Sequence, residues 1–247
     1  MFDLISGFFR DLYETTGWNF VIFYEQYEWD RFVDAIWVSL YLIVAALFFS
    51  VVVGIIGAWA QGSPIRALRL LMAGYIQFFR NTPPYVQLLF FFFVLGNLTP
   101  KVDMGGYYEP MISSFGWAVI SLSFFAGAFN VEIFRAGIEA VPHSTREAAE
   151  ALGYTRLQAY IHVILPLAFR VSLPALNNNL VNLVKTSTQA FAIAVPEMLY
   201  TLAQVWSDNS NVPEMMIILF IFYVGLVAIL VFGMHKWEKN MRIPGYG

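Results

Sequence analysis

Long stretches of this chain contain no charged side chain, and this pattern limits its possible folds more than any other feature. The stretches run from Ala35 to Ala60, Asn81 to Pro100, Pro110 to Val131 and Met215 to Met234. An α-helix needs about 20 residues to cross the hydrocarbon of a bilayer. A fifth candidate, 171–184, is shorter and more polar. We therefore predict an all-α integral membrane protein with five transmembrane helices, at about 35–60, 70–98, 112–137, 167–188 and 213–236.

The composition agrees with a protein in contact with lipid. Apolar residues make up 59% of the chain and charged residues only 13%, whereas soluble domains carry about 25% charged residues. A core of this size cannot bury so many apolar side chains, so part of the surface must face the bilayer. The net charge of −3 gives no indication of nucleic-acid binding, and the absence of cysteine excludes disulfides and thiolate metal sites. The N-terminus does not resemble a cleavable signal peptide, so the first span is expected to target the chain.

Lys and Arg residues are distributed unevenly between the predicted loops. Ten of the 14 fall in the segments 61–80, 132–170 and 235–247, and four fall elsewhere. Because cytoplasmic loops carry the excess of Lys and Arg, these segments are predicted to be cytoplasmic, with the N-terminus outside and the C-terminus inside. A sixth span at 191–206 would reverse the C-terminus, and Glu197 interrupts that run.

The segment 1–32 combines acidic residues with many aromatic ones. Aromatic side chains favour the membrane–water interface. We predict a periplasmic segment with a helix on the outer membrane face, with docking of a partner as the alternative. The rest of the chain is predicted to form one transmembrane domain, 33–241, followed by a cytoplasmic tail, 242–247.

The predicted cytoplasmic segment 142–166 has strong local signals for a helical elbow. Ser144 with Glu147 fits a capping box, and the alanines after it favour helix. Gly153 is suited to end that helix in a left-handed cap. Thr155 with Gln158 fits a second capping box, and Pro166 is expected to begin the next helix. The pattern predicts a short helix, a sharp turn and a second short helix. We expect this elbow to be a docking site for another protein.

At these residues the chain resembles the EAA loop of ABC importer permeases, with Glu147-Ala148-Ala149, then Gly153, then Leu165-Pro166. Three other segments are similar to the polar amino-acid permease subfamily (histidine/glutamine/arginine type). They are Phe134 to Pro142, Phe79 to Pro83 with Val86-Gln87, and Leu173-Pro174 upstream of Lys185-Thr186-Ser187. The resemblance extends from about Val33 to Met241. It implies a type I ABC importer permease fold, in which the elbow is the coupling helix.

The resemblance also implies a set of partners. They are a second permease subunit, identical or paralogous, two ATPase subunits and a soluble periplasmic binding protein that delivers an amino acid or a related compound such as an opine. The chain lacks the G-x-x-x-x-G-K-[ST] phosphate loop. We therefore expect that the chain is not an enzyme and has no catalytic residues, no metal-binding residues and no cofactor of its own. ATP-Mg is expected to bind to the partner ATPase. The complex is expected to lie in the bacterial inner membrane.

The fourth predicted span carries a polar face. Asn178, Asn182, Lys185 and Gln189 fall within about 60° at helical spacing, and Asn179 and Thr186 form a second line. Polar groups within a bilayer are costly and mark a pathway or an interhelical contact. The first interpretation is a substrate passage that also includes Ser187. The alternative is hydrogen bonding between helices, with Lys185 reaching the outer surface. The resemblance favours the passage, and Thr186 stands where some relatives have an acidic residue.

A second candidate for the pathway is the segment around Pro83 and Pro84. Two prolines remove backbone donors and are expected to kink or break the helix. Broken backbone is tolerated at membrane depth where it lines a cavity or is buried in protein. We therefore expect Arg80, Thr82 and Gln87 to be candidate ligand contacts. The alternative for Arg80 is an anchor at the inner interface.

Two other classes of protein were weighed against the importer permease. An intramembrane hydrolase would need a Ser–His or carboxylate pair at depth, and all three His residues fall in predicted cytoplasmic segments. A secondary, ion-coupled transporter of small solutes remains the alternative, although such proteins often contain inverted repeats and more spans. Glu132 and Arg135, at i and i+3, are expected to form a local ion pair.

Overall fold

The computed structural model describes residues 2–241, and the predicted tail 242–247 lies outside this range. Helices dominate these residues. In chain order they are α1 (Phe2–Thr16), α2 (Gln26–Gln61), α3 (Arg66–Asn81), α4 (Pro84–Leu89), α5 (Gly96–Leu98), α6 (Ser114–Glu139), α7 (His143–Ala151), α8 (Arg156–Ala159), α9 (Leu165–Thr186), α10 (Met198–Asn209) and α11 (Val212–Met241). Short 3-10 helices cover Val21–Phe23 and Ser187–Ile193, and π-helical turns cover Phe90–Leu95 and Tyr160–Ile164. An antiparallel hairpin pairs β1 (Lys101–Asp103) with β2 (Tyr108–Pro110).

Within residues 2–241, four helices are long and apolar enough to cross a membrane. They are Gln26–Gln61, Ser114–Glu139, Arg156–Ile193 and Val212–Met241. They contain the first, third, fourth and fifth predicted spans. The first of them begins at Gln26, so the boundary expected near residue 32 lies inside α2.

The second predicted span, 70–98, is interrupted. The α3 helix ends at Asn81, Thr82 is extended with φ −115° and ψ 146°, and α4 begins at Pro84. A residue before proline is pushed out of the α region, and proline has no N–H for the helix ladder. The predicted break at the two prolines is therefore confirmed. The apolar segment after it, Pro84–Leu98, is shorter than the four long helices.

The expected helix start at Pro166 is wrong. Residues 156–193 form one helical segment, in which the π-helical turn at 160–164 comes directly before α9. A proline ring crowds the carbonyl four residues earlier, which here belongs to His162. Because the backbone is widened at this turn, the helix passes through Pro166 without a break.

The described chain divides into two compact units, and each is described by itself. The first comprises the described residues up to Ala45, Leu88–Val119 and Val184–Ala228. Its core is a cluster of buried apolar side chains from the N-terminal segment, α2, α10 and α11, namely Val21, Ile22, Ala35, Met198, Leu202, Val205 and Met215. The N-terminal segment is attached to the start of α11, because the Asn19 amide donates to Glu214 Oε1 at 2.9 Å.

The second unit comprises Ala46–Gln87, Ile120–Leu183 and the described residues from Ile229 onward. Buried amides join its helices. Asn179 Nδ2 donates to the Ala126 carbonyl at 2.9 Å and to Asn130 Oδ1 at 2.7 Å, and Asn130 Nδ2 donates to Ser50 Oγ at 3.3 Å. Without water in the bilayer, such groups must find partners on neighbouring helices. For Asn179, the alternative of interhelical hydrogen bonding is therefore confirmed.

Close helix contact in this unit depends on small residues. At Gly57 an added Cβ would overlap with Val131, and at Gly127 it would lie 2.6 Å from Val53 Cγ1. At Gly137 it would overlap with Ser172 Oγ and lie 2.7 Å from the Ala168 carbonyl oxygen. Small residues at such positions allow the backbones of membrane helices to approach closely.

We predict that Gly137→Ala lowers the thermal unfolding temperature of the purified protein in detergent. The Ala168 oxygen belongs to a helix backbone and cannot move aside, and overpacking of this kind costs about 1–3 kcal/mol. Gly74→Ala is the matched control, because Gly74 lies in α3 with nothing within 4 Å of an added Cβ. The control should unfold at an equal or higher temperature. Equal unfolding temperatures for both variants would contradict the close contact of α6 with α9.

Candidate functional site

The first helix of the elbow, α7, begins differently from the prediction. Its N-cap is Pro142, with no capping hydrogen bond from a side chain. Ser144 is therefore inside the helix and cannot cap it, so the predicted Ser144–Glu147 capping box is wrong. Glu147 instead lies 3.1 Å from His143 Nδ1, one turn earlier.

The turn of the elbow agrees with the prediction. Gly153 has a φ of +89°, in the left-handed region. The Gly153 amide donates to the Glu150 carbonyl at 3.0 Å, and the Tyr154 amide donates to the Ala149 carbonyl at 3.1 Å. These two bonds form the Schellman motif, which satisfies carbonyls at a helix end. The predicted left-handed cap at Gly153 is thus confirmed.

The second predicted capping box is also confirmed. Thr155 Oγ1 accepts from the Gln158 amide at 3.3 Å, and Gln158 Oε1 accepts from the Thr155 amide at 2.9 Å. Both ends of the turn between α7 and α8 are therefore held by hydrogen bonds.

The surface of the elbow is apolar at its tip. Leu152 is 80% exposed and Leu157 is 68% exposed, whereas Ala149 and Ala159 are buried. Exposed apolar side chains at such a turn are candidates for contact with another protein. The remaining residues expected to take part in coupling, which are Glu147, Ala148, Gly153, Leu165 and Pro166, are all exposed.

The polar residues of α9 and of the segment after it differ in their exposure. Asn178, Asn182 and Lys185 are exposed on the chain, and Gln189 is half-buried. Thr186 and Ser187 are buried, and Ser187 Oγ donates to the Val184 carbonyl at 2.8 Å. The first three side chains are thus at the surface of this chain, whereas Asn179, Thr186 and Ser187 are enclosed within it.

The break between α3 and α4 is closed by Gln87. In a continuous helix the Phe79 carbonyl would accept from the amide of residue 83, which proline lacks. Gln87 Nε2 supplies that donor at 2.9 Å, and it also lies 2.6 Å from Thr82 Oγ1. Gln87 is buried. Its amide therefore replaces the hydrogen bond that Pro83 cannot donate.

Arg80, at the end of α3, lies against α6. Its Nη1 is 3.7 Å from Glu132 Oε2, and its guanidinium carbon is 5.4 Å from the centre of the Phe129 ring. The predicted ion pair between Glu132 and Arg135 is confirmed at 3.0 Å. Sequence reasoning gave no indication that Arg80 and Glu132 meet.

The first unit contains a buried carboxylate, Glu197, that caps the start of α10 and that the sequence did not indicate as a cap. Glu197 is 1% exposed and accepts from the amides of Leu199 and Tyr200 and from the Tyr223 hydroxyl, each at 2.9 Å. Burial raises the pKa of Glu197, and these hydrogen bonds oppose the rise. Glu is not among the usual N-cap residues, which are Ser, Thr, Asp and Asn, so no local signal in the sequence identified this cap.

No three His, Asp or Glu side chains come together as a possible metal site within residues 2–241. The candidate functional features are the elbow, the polar face of α9 and the break between α3 and α4.

The chain as a whole is similar to a known protein family. The family model described as "Binding-protein-dependent transport system inner membrane component" matches residues 50–242. The probable amino-acid permease protein YxeN of Bacillus subtilis is 30% identical, covering 93% of this chain and 98% of its own length. The glutamate/aspartate import permease protein GltJ of Escherichia coli is 29% identical, and the match covers 92% of this chain and 96% of GltJ.

Solved structures have the same fold. A crystal structure of an amino acid ABC transporter with histidines has a chain with a TM-score of 0.74 and 28% identity, covering 85% of this chain and 94% of that one. A chain of the MetNI methionine ABC transporter has a TM-score of 0.67 at 20% identity, which supports the fold alone. These matches favour the importer permease over the secondary transporter. The chain belongs to the family of binding-protein-dependent transport system inner membrane components and has the fold of type I ABC importer permeases.

Proposed function

We propose that this permease carries amino acids, or related compounds such as opines, into the cell. The names of its relatives support this substrate class, since YxeN is a probable amino-acid permease and GltJ a glutamate/aspartate import permease. The observation that carries the mechanism is the elbow, whose turn is held by hydrogen bonds on both sides of Gly153 and whose tip exposes Leu152 and Leu157.

In this proposal the elbow docks into a partner ATPase. ATP-Mg binds to that subunit, because this chain has no phosphate-binding loop. The complex contains a second permease subunit, two ATPase subunits and a periplasmic binding protein. Closure of the ATPases moves the elbows, and the permease changes from an inward-facing to an outward-facing state. Each state must interact differently with the ligand, since otherwise ATP could not drive transport.

The proposed topology has five spans, with the N-terminus outside and the C-terminus inside. The broken segment from α3 to α5, which follows α2 and precedes α6 along the chain, is the second span. The excess of Lys and Arg in the segments 61–80, 132–170 and 235–247 supports this orientation. The segment 1–32 is then periplasmic and the domain 33–241 holds the spans, with the coupling loop at 142–166.

The proposed pathway is lined by the exposed polar residues of α9. Asn178, Asn182 and Lys185 face away from the chain, where exposure to lipid would be costly. Their amides and ammonium suit the carboxylate and ammonium groups of an amino acid. Thr186 and Ser187 are buried next to Lys185 in the chain, and the half-buried Gln189 follows them; we include all three in the proposed pathway. At the break, Thr82 and Gln87 preserve the shape of the chain, and Arg80 provides positive charge.

We predict that Gly153→Val abolishes stimulation of the ATPase by loaded binding protein. A β-branched residue is strained at this φ by about 1–3 kcal/mol, so the turn of the elbow should open. The measurement is ATP hydrolysis by the complex in proteoliposomes, with and without loaded binding protein. Gly17→Val is the control, because Gly17 has a φ of +79° and nothing within 4 Å of an added Cβ. Full stimulation in the Gly153 variant would count against docking of the elbow.

We predict that Lys185→Gln lowers amino-acid uptake by roughly 10-fold or more, whereas Lys185→Arg retains most of it. A hydrogen bond to a charged group contributes about 1.5–3 kcal/mol, and 1.4 kcal/mol is a factor of ten. Uptake of labelled amino acids into proteoliposomes gives the measurement. Val171→Ala, at an exposed apolar position on the same helix, should transport normally. Normal uptake by Lys185→Gln would exclude this residue from the pathway.

A further inference from the structure

Arg80 is the last charged residue of α3, two positions before the extended residue Thr82. Its guanidinium contacts α6 at two residues on one face, the ring of Phe129 and the carboxylate of Glu132. The 3.7 Å between Arg80 Nη1 and Glu132 Oε2 is longer than a hydrogen bond. Arg80 is therefore held by charge and by the aromatic ring, and this contact can be released more easily than a bidentate hydrogen bond.

The other partners of Glu132 are bound more closely. Arg135 Nη2 donates to Glu132 Oε2 at 3.0 Å, and Gln61 Nε2 donates to Glu132 Oε1 at 3.3 Å. One carboxylate thus joins the ends of α2 and α3 to α6. All of these residues belong to the second unit.

Arg80 and Arg135 depend on Glu132 to different extents. Arg135 also binds the Glu139 carboxylate at 2.7 Å, so it keeps an anionic partner if Glu132 is removed. Within residues 2–241, Glu132 is the only carboxylate in an ion pair with Arg80. Loss of Glu132 therefore leaves Arg80 without a counter-ion near the membrane, where an uncompensated charge is costly.

The position of Glu132 along the chain connects this contact with the elbow. Glu132 lies two turns before the end of α6 at Glu139, and α7 begins at His143. The elbow is therefore joined to α6 by the short connection 140–142. From α6, the contact of Glu132 with Arg80 leads to the end of α3 and to the proline break.

We propose that Glu132 is a positioning residue for Arg80, and that their contact transmits the movement of the elbow from α6 to the α3–α4 break. This inference rests on the proposed function, in which the elbow is moved by ATP and the break borders the pathway. Glu132 itself need not touch the ligand. Its carboxylate keeps the guanidinium of Arg80 on α6, so that the break follows α6 during the transport cycle.

The absence of cysteine from the sequence permits a test by charge rescue. Arg80→Cys and Glu132→Cys are assembled with the ATPase and binding protein in proteoliposomes. Each is then treated with a thiosulfonate reagent that attaches either an aminoethyl or a sulfonatoethyl group through a disulfide. Ligand uptake and ATP hydrolysis are measured together, which gives the ATP consumed per ligand. Wild-type complex treated with both reagents reports any effect on the partner subunits.

We expect both cysteine variants to take up ligand about 5–10-fold more slowly, with ATP hydrolysis largely retained, so that the ATP consumed per ligand rises. The cationic aminoethyl group should restore coupling at position 80, and the anionic sulfonatoethyl group should restore it at position 132. The opposite reagent should not help at either position. Because the reagents act on the assembled complex, rescue separates the charge from an effect on folding.

Glu139→Cys is the matched control, since Glu139 binds Arg135 and not Arg80. It should keep the wild-type ratio of ATP to ligand. Rescue by both reagents alike, or a parallel fall of uptake and hydrolysis that neither reagent reverses, would overturn the role of Glu132. Wild-type complex that shows no ATP-driven uptake would overturn the proposed function itself. Normal wild-type uptake without any charge-dependent effect would overturn only the assignment of Glu132.

Discussion

A backbone polar group that is buried away from water must find its partner inside the protein, and the break between α3 and α4 shows how this requirement is met. The chain places two prolines there, which removes the donor that the Phe79 carbonyl needs. The side chain of Gln87 supplies it. The break is therefore a closed structural element rather than an exposed end of a helix. This hydrogen bond also explains why Gln87 is buried. A polar residue near the proposed pathway could instead have faced the ligand.

The same requirement separates the polar residues of α9 into two groups. Asn179 is enclosed by Ala126 and Asn130, and it contributes to the packing of α9 against α6. Asn178, Asn182 and Lys185 are exposed, although their side chains are no less polar. The interhelical interpretation thus holds for Asn179, and the substrate passage stays a proposal for the exposed residues. The enclosed group forms hydrogen bonds within the protein, so the exposed group is the better candidate for the proposed pathway.

Features that depend on neighbouring residues could be predicted from the sequence. The long apolar stretches, the break at Pro83, the left-handed Gly153 and the capping box at Thr155 all follow from local rules and are present. The box at Ser144 failed because α7 begins at His143, and the helix start at Pro166 failed because the backbone is already widened at residues 160–164. Both errors concern the exact start of a helix. The contact between Arg80 and Glu132 could not be predicted, because helix packing brings together residues that are far apart in the chain.

The arrangement of charges around α6 suggests why coupling and stability need not use the same contacts. Arg135 is bound by Glu132 and Glu139 along one helix, and these bonds persist whatever the neighbouring helices do. Arg80 approaches from another helix and is held at 3.7 Å by Glu132 and by the Phe129 ring. A contact that must follow a moving helix benefits from charge and ring stacking, because these interactions tolerate small changes of distance and angle better than a short hydrogen bond does. The buried amides of Asn130 and Asn179, by contrast, have short directional bonds, which suits helices that stay packed together through the cycle.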